Sequence, residues 1–161
     1  ITDWYDDTGN ENDSIKIINL ESHETKDTSS NQINGNLTVV WRDWDQILPE
    51  SPKMIYLTCV NPNETKGPHL HTKRDSFMTC IQGKVVFIVK DLDGLYHEII
   101  CDEKKPVLIC IPKNFASAHL NLSDKPSKIL VLASLAWKPN DNEMKNVLFD
   151  DYEWKKWNND K

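Results

Sequence analysis

Short β-branched and aromatic runs recur along the chain, with polar turns between them. Strands are expected over residues 15–20, 37–41, 54–60, 77–81, 85–89, 96–101, 107–111, 116–122 and 129–135, each bounded by turn-forming residues. Gln82-Gly83-Lys84 is expected to close a tight hairpin between two of these strands. Asp91-Leu92-Asp93-Gly94 supplies the next turn, since Asp-Gly readily takes positive φ. Residues 24–36 are polar and are expected to form a long loop. Helical signals are absent until residues 150–157, where Tyr152, Trp154 and Trp157 suit a short helical turn. Many short strands with turns between them indicate an all-β sandwich or barrel, and a double-sheet jelly roll answers the pattern well.

At 161 residues the chain suits a single domain spanning 1–161, with 1–14 and 158–161 peripheral. A net charge of −6 gives no extended basic stripe for nucleic acid. No apolar run is long enough to span a membrane. The chain starts at Ile1, which is compatible with trimming from a longer protein. Cys59, Cys80, Cys101 and Cys110 lie in or beside apolar segments, without metal-binding or redox spacing. They are expected to be four buried free thiols in a reducing, cytoplasmic setting. Sequons at Asn12, Asn36, Asn63 and Asn121 point the other way, but chance matches are common in a chain rich in Asn, Ser and Thr. Trp4, Trp41, Trp44, Trp137, Trp154 and Trp157 are expected to cover the barrel or a dimer surface.

The candidate chemistry sits in Lys66-Gly67-Pro68-His69-Leu70-His71. On a strand, residues two apart share a face, so His69 and His71 would enter one space. Such a pair can be structural, can ligate a metal, or can move protons. Ligation needs further donors, for which Asp75 and His119 are available. Lys66, Lys73 and Arg74 form a local basic corner suited to a phosphate group.

Gly67-Pro68-His69-Leu70-His71 through Gln82-Gly83 resembles the first signature of the cupin superfamily, and residues 111–121 resemble the second. The resemblance implies a cupin double-stranded β-helix, a jelly-roll barrel. Asp75 or Ser76 stands where that signature has Glu, and Ser117 stands where a metal-binding cupin has His. These departures argue against the usual cupin metal centre. Within the superfamily, Lys66-Gly67-Pro68-His69-Leu70-His71-Thr72 is similar to the Arg-Gly-x-His-Ala-His-Lys of dTDP-sugar 3,4-ketoisomerases, with the Lys displaced to Lys73. Residues 111–123 resemble the corresponding segment of dTDP-4-dehydrorhamnose 3,5-epimerases. Two elements of the epimerases are missing. Asn34-Gly35 replaces their Asp-x-Arg-Gly, and residues 129–134 lack their late-strand Tyr.

The resemblance implies a cofactor-independent epimerase or isomerase of a nucleotide-linked 4-keto-deoxy sugar, acting as a homodimer. A 4-keto group acidifies the neighbouring C–H bonds, and a near-neutral base can remove one proton to give an enolate. His69 is the expected base, His71 a proton shuttle or carbonyl polariser, and Tyr56 the candidate acid. Lys66, Lys73 and Arg74 are expected to bind the diphosphate. Ser117, His119 and Asn121 share strand parity and are expected to face the barrel interior. The alternatives are a metal-dependent cupin using His69, His71 and His119, and a non-catalytic sugar-binding cupin.

Overall fold

A computed structural model describes residues 14–46, 48 and 50–157. Trp4, the Asn12 sequon and residues 158–161 lie outside the described residues.

Twelve strands are described: β1 (Lys16–Asn19), β2 (Glu21–Lys26), β3 (Ile33–Val39), β4 (Met54–Val60), β5 (Thr65–His71), β6 (Ser76–Gln82), β7 (Lys84–Lys90), β8 (Tyr96–Asp102), β9 (Val107–Ile111), β10 (Ala116–Asn121), β11 (Ser127–Ala133) and β12 (Met144–Asn146). Trp154–Trp157 form a 3-10 turn within the expected helical segment. One five-stranded sheet runs β1-β9-β6-β11-β4, a second runs β12-β5-β10-β7-β8, and β2-β3 form a separate two-stranded ribbon. Every pairing between these strands is antiparallel. This is the jelly-roll arrangement of two sheets facing each other.

The main core lies between the sheets and includes Met78, Val85, Phe87, Val89, Ile109, Ile111, Ile129 and Val131. The outer faces are covered as well. Phe149, Tyr152, Trp154 and Trp157 pack over Val86, Ile88 and Leu120 of the second sheet. Leu48, Val40 and Trp41 pack over Phe77, Leu108 and Leu132 of the first. A strand covered on both faces needs apolar residues at every position, which explains the unbroken run Val85–Val89.

Three expectations are corrected. Residues 24–36 form most of the β2–β3 ribbon instead of a loop. Its side chains are nearly all exposed, so it carries no apolar alternation. Its turn is held by Asp27, whose Oδ1 accepts the backbone N–H groups of Ser29 and Ser30. The Gln82-Gly83-Lys84 segment is a corner, since β6 and β7 belong to opposite sheets. Gly83 takes φ +84°, and a Cβ there would lie 2.9 Å from Ser123 Oγ. Finally, Cys59 is exposed while the other three thiols are buried and free. Burial raises the pKa of Cys80 to about 11 and of Cys101 and Cys110 to about 12. Cys59 faces outward because it alternates with the inward Tyr56 and Thr58 along β4.

No helix among the described residues is long and apolar enough to cross a membrane.

Candidate active site

A cavity of about 250 Å³ opens between the sheets. Strand β4 contributes Tyr56 and Thr58, β6 contributes Ser76 and Met78, and β11 contributes Val131. Strand β5 supplies Lys66, His69 and His71, and β10 supplies Ser117 and His119. Alternation explains the pairs two residues apart, but Lys66 and His69 are three apart. A register shift between β5 and β10 reconciles them: His69 pairs with Ser117 and Lys66 with His119, so three steps on one strand match two on the other. Gly67 sits in this irregularity at φ +85°, where a Cβ would be 2.7 Å from Ser117 O. Only glycine lets the strands approach so closely there.

The rings of His69 and His71 are 5.3 Å apart and nearly perpendicular. Both are partly buried. Burial, then the charges of His71 and Arg74, push His69 down to about 4. Burial also lowers His71, opposed by its hydrogen bond to the Glu143 carboxylate. His119 lies deeper, its ring centroid 5.5 Å from that of Phe87. Burial, with Lys66 and His69 adding, pushes it down to about 3, and its Nε2 has no hydrogen-bond partner. All three imidazoles are therefore neutral at pH 7.

His71 is held on both sides. Its Nδ1 is 2.7 Å from Glu143 Oε2, and its Nε2 is 3.0 Å from Arg74 Nη2. The same Arg74 nitrogen donates to the Tyr56 hydroxyl at 2.7 Å. Lys66 Nζ donates to Thr58 Oγ1 at 2.8 Å, so its ammonium has a neutral partner at the cavity wall. A second chamber of about 490 Å³ adjoins the first through Tyr56, His71, Arg74 and Met144. Met54, Trp137, Asn140, Asp141, Asn142 and Glu143 complete its wall.

Of the residues expected at the site, His69, His71, Tyr56, Lys66, Arg74, Ser117 and His119 line the cavity. Lys73 and Asn121 stand apart from it. The Lys73 side chain is exposed, and its backbone N–H donates to Glu143. Asn121 is buried with its amide fully used: Nδ2 donates to Val60 O and Lys125 O, and Oδ1 accepts from Ser123. It ties the end of β10 to the end of β4 in the other sheet. Asp75 is also occupied elsewhere, accepting the Lys113 N–H at 2.8 Å. Among the described residues, no three His, Cys, Asp or Glu side chains gather closely enough to hold a metal ion. The donor set of the metal-dependent alternative is therefore not assembled. Sequence reasoning missed Glu143, which sits in a polar stretch with no apolar period. Its proximity to His71 depends on β12, a three-residue strand paired to β5.

Residues 13–153 match the family described as FdtA: WxcM-like, C-terminal. The chain belongs to this family. A dTDP sugar isomerase from Desulfovibrio desulfuricans G20 has a similar structure, with a TM-score of 0.69, 14% identity, and coverage of 84% of this chain and 85% of that one. A 3,4-ketoisomerase from Helicobacter canadensis gives 0.65 at 24% identity, covering 83% and 90%. QdtA, a sugar 3,4-ketoisomerase from Thermoanaerobacterium thermosaccharolyticum in complex with TDP, gives 0.63 at 20% identity, covering 81% and 86%. The chain also resembles the capsular polysaccharide assembling protein CapF of Staphylococcus aureus, but spans only 29% of its length. These likenesses establish the cupin fold. No match was found among curated proteins.

Proposed function

We propose that this protein isomerises or epimerises a nucleotide-linked 4-keto-deoxy sugar by proton transfer next to the ketone. The observation that carries this reading is His69, a neutral imidazole in a β-walled cavity that also presents Lys66, Arg74 and Tyr56. Among the described residues, no hydrogen bond from a protein group engages the His69 ring, which leaves it available to a ligand. The two chambers together fall within the range of small-molecule pockets, roughly 300–1,000 Å³. The inner one suits the sugar, and Arg74 at the junction suits the diphosphate. The names of the similar structures, dTDP sugar isomerase and 3,4-ketoisomerase, support the same substrate class.

In this scheme His69 takes the proton from the carbon beside the ketone, leaving an enolate. Tyr56, whose oxygen accepts from Arg74, has its hydroxyl proton left to donate to the developing oxyanion. Return of the proton to the former carbonyl carbon, with the adjacent hydroxyl's proton passing to the old carbonyl oxygen, moves the carbonyl, and return to the opposite face of the same carbon inverts it. The sum is a proton relocation, so no redox partner or cofactor is required.

A homodimer completes the proposal. Ile55 and Leu57 are exposed on β4, an open edge of the first sheet, and Ile33 and Leu37 are exposed on the β2–β3 ribbon. Light scattering after gel filtration checks this, with twice the chain mass expected.

The decisive experiment is incubation with dTDP-4-keto-6-deoxyglucose in heavy water. Solvent deuterium at C3, C4 or C5 is expected, C4 being the carbon reprotonated when the carbonyl moves, and His69→Asn is expected to slow its uptake on the order of 10²–10⁴-fold. Nucleotide-sugar binding without exchange in either form would instead identify a sugar-binding protein.

A further inference from the structure

Glu143 makes bonds to the site that its place in a polar loop does not announce. It is only 5% exposed. Its Oε1 accepts the backbone N–H groups of Lys73 and Arg74 at 3.3 and 3.2 Å. Its backbone carbonyl accepts both the N–H and the hydroxyl of Thr72. One oxygen and the carbonyl thus hold the β5–β6 connection, while Oε2 faces Nδ1 of His71 at 2.7 Å.

The hydrogen directions follow from the partners. A guanidinium donates and cannot accept. His71 Nε2, 3.0 Å from Arg74 Nη2, must therefore be the lone-pair end of the ring. A neutral imidazole carries one N–H, which then lies on Nδ1 and donates to Glu143. The chain continues through Arg74 to the Tyr56 hydroxyl. Each link depends on the previous one: were the Nδ1 proton moved to Nε2, two donors would face each other between His71 and Arg74.

We propose that Glu143 is a positioning residue that fixes the Nδ1–H form of His71, making the ring an acceptor that holds Arg74 and Tyr56 toward the inner cavity. His71 is then a strut, and of the paired histidines His69 is the one left to exchange a proton with the substrate. The catalytic part of this inference rests on the proposed sugar chemistry; the tautomer part does not.

Two measurements test it. Nitrogen-15 NMR of the unmodified protein at pH 7 is expected to show His71 neutral with its proton on Nδ1. An Nε2–H ring or an imidazolium would overturn the proposal whatever the enzyme's activity. The second uses Glu143→Gln. Glutamine keeps an acceptor for the Lys73 and Arg74 amides but can turn an NH₂ donor toward Nδ1. The His71 proton is expected to move to Nε2, and kcat to fall on the order of 10–100-fold. A folded Glu143→Gln protein with an unchanged tautomer and unchanged kcat would sink the proposal. If the unmodified protein shows Nδ1–H but no exchange on the keto sugar, the substrate reading fails and the tautomer assignment survives.

Discussion

At the scale of single residues, the buried imidazoles dominate. His69 and His119 have folded pKa values lowered to about 4 and about 3, below the ordinary value of 6.5. Unfolding lets each ring take up a proton below pH 6.5. Their contribution to stability is therefore complete above that pH and is lost as pH falls toward 3–4, with a slope near 1.4 kcal/mol per pH unit for each ring. Urea midpoints measured from pH 7 to pH 4 should fall, and His119→Met should flatten the fall. Activity should read the same charges differently. The acid limb of kcat/KM reports the free protein and is expected well below pH 6.5. A bound diphosphate offsets Lys66 and Arg74, which raises the basicity of His69, so the acid limb of kcat should lie at higher pH. Coincident limbs in the two profiles would contradict that coupling. Asn121 provides a contrast. Its four hydrogen bonds serve backbone and Ser123, so Asn121→Ala should cost roughly 2–4 kcal/mol in urea unfolding without altering the pH profile.

At the scale of elements, what the sequence discloses depends on where each strand's faces point. Strand β7 was legible because both its faces are covered, which forces the unbroken apolar run Val85–Val89, and β6 because its run is broken only at Thr79. Strand β4 was legible by its alternation, which places Tyr56 and Thr58 inward. The β2–β3 ribbon was not, because it buries almost nothing and reads like any polar stretch. The histidine pair was legible from strand parity, whereas Lys66 enters the cavity only through the register shift at Gly67. Glu143 left no signal, since its partner lies 72 residues away in the chain. The close approach at Gly67 gives a test: Gly67→Ala should destabilise the fold by roughly 1–3 kcal/mol, because Cβ would meet Ser117 O at 2.7 Å and the positive φ would be strained. Trp154→Ala should cost about 3–5 kcal/mol by uncovering the outer face of the second sheet.

At the scale of the whole molecule, a chain of net charge −6 places Lys66 and Arg74 on the wall of one cavity. The basic corner seen in the sequence divides: two cations line the cavity and Lys73 stands outside it. Lys66→Met should raise KM about 2- to 5-fold with little change in kcat, because an exposed ammonium contributes a modest, salt-screened attraction. Lys73→Met should leave KM unchanged. The two sheets are also covered from opposite ends of the chain, the first by residues near Val40 to Leu48 and the second by Phe149 to Trp157. Neither covering segment lines the cavity.

The outward turn of Cys59 has a practical use. A thiol reagent meets one reactive sulfur in the folded chain, and that sulfur lies on the same strand face as Ile55 and Leu57. Its alkylation rate therefore becomes a gauge of whether that edge is covered by a second copy: rapid labelling in dilute solution and protection as concentration rises would show two copies meeting there, and a rate independent of dilution would place any contact between copies elsewhere.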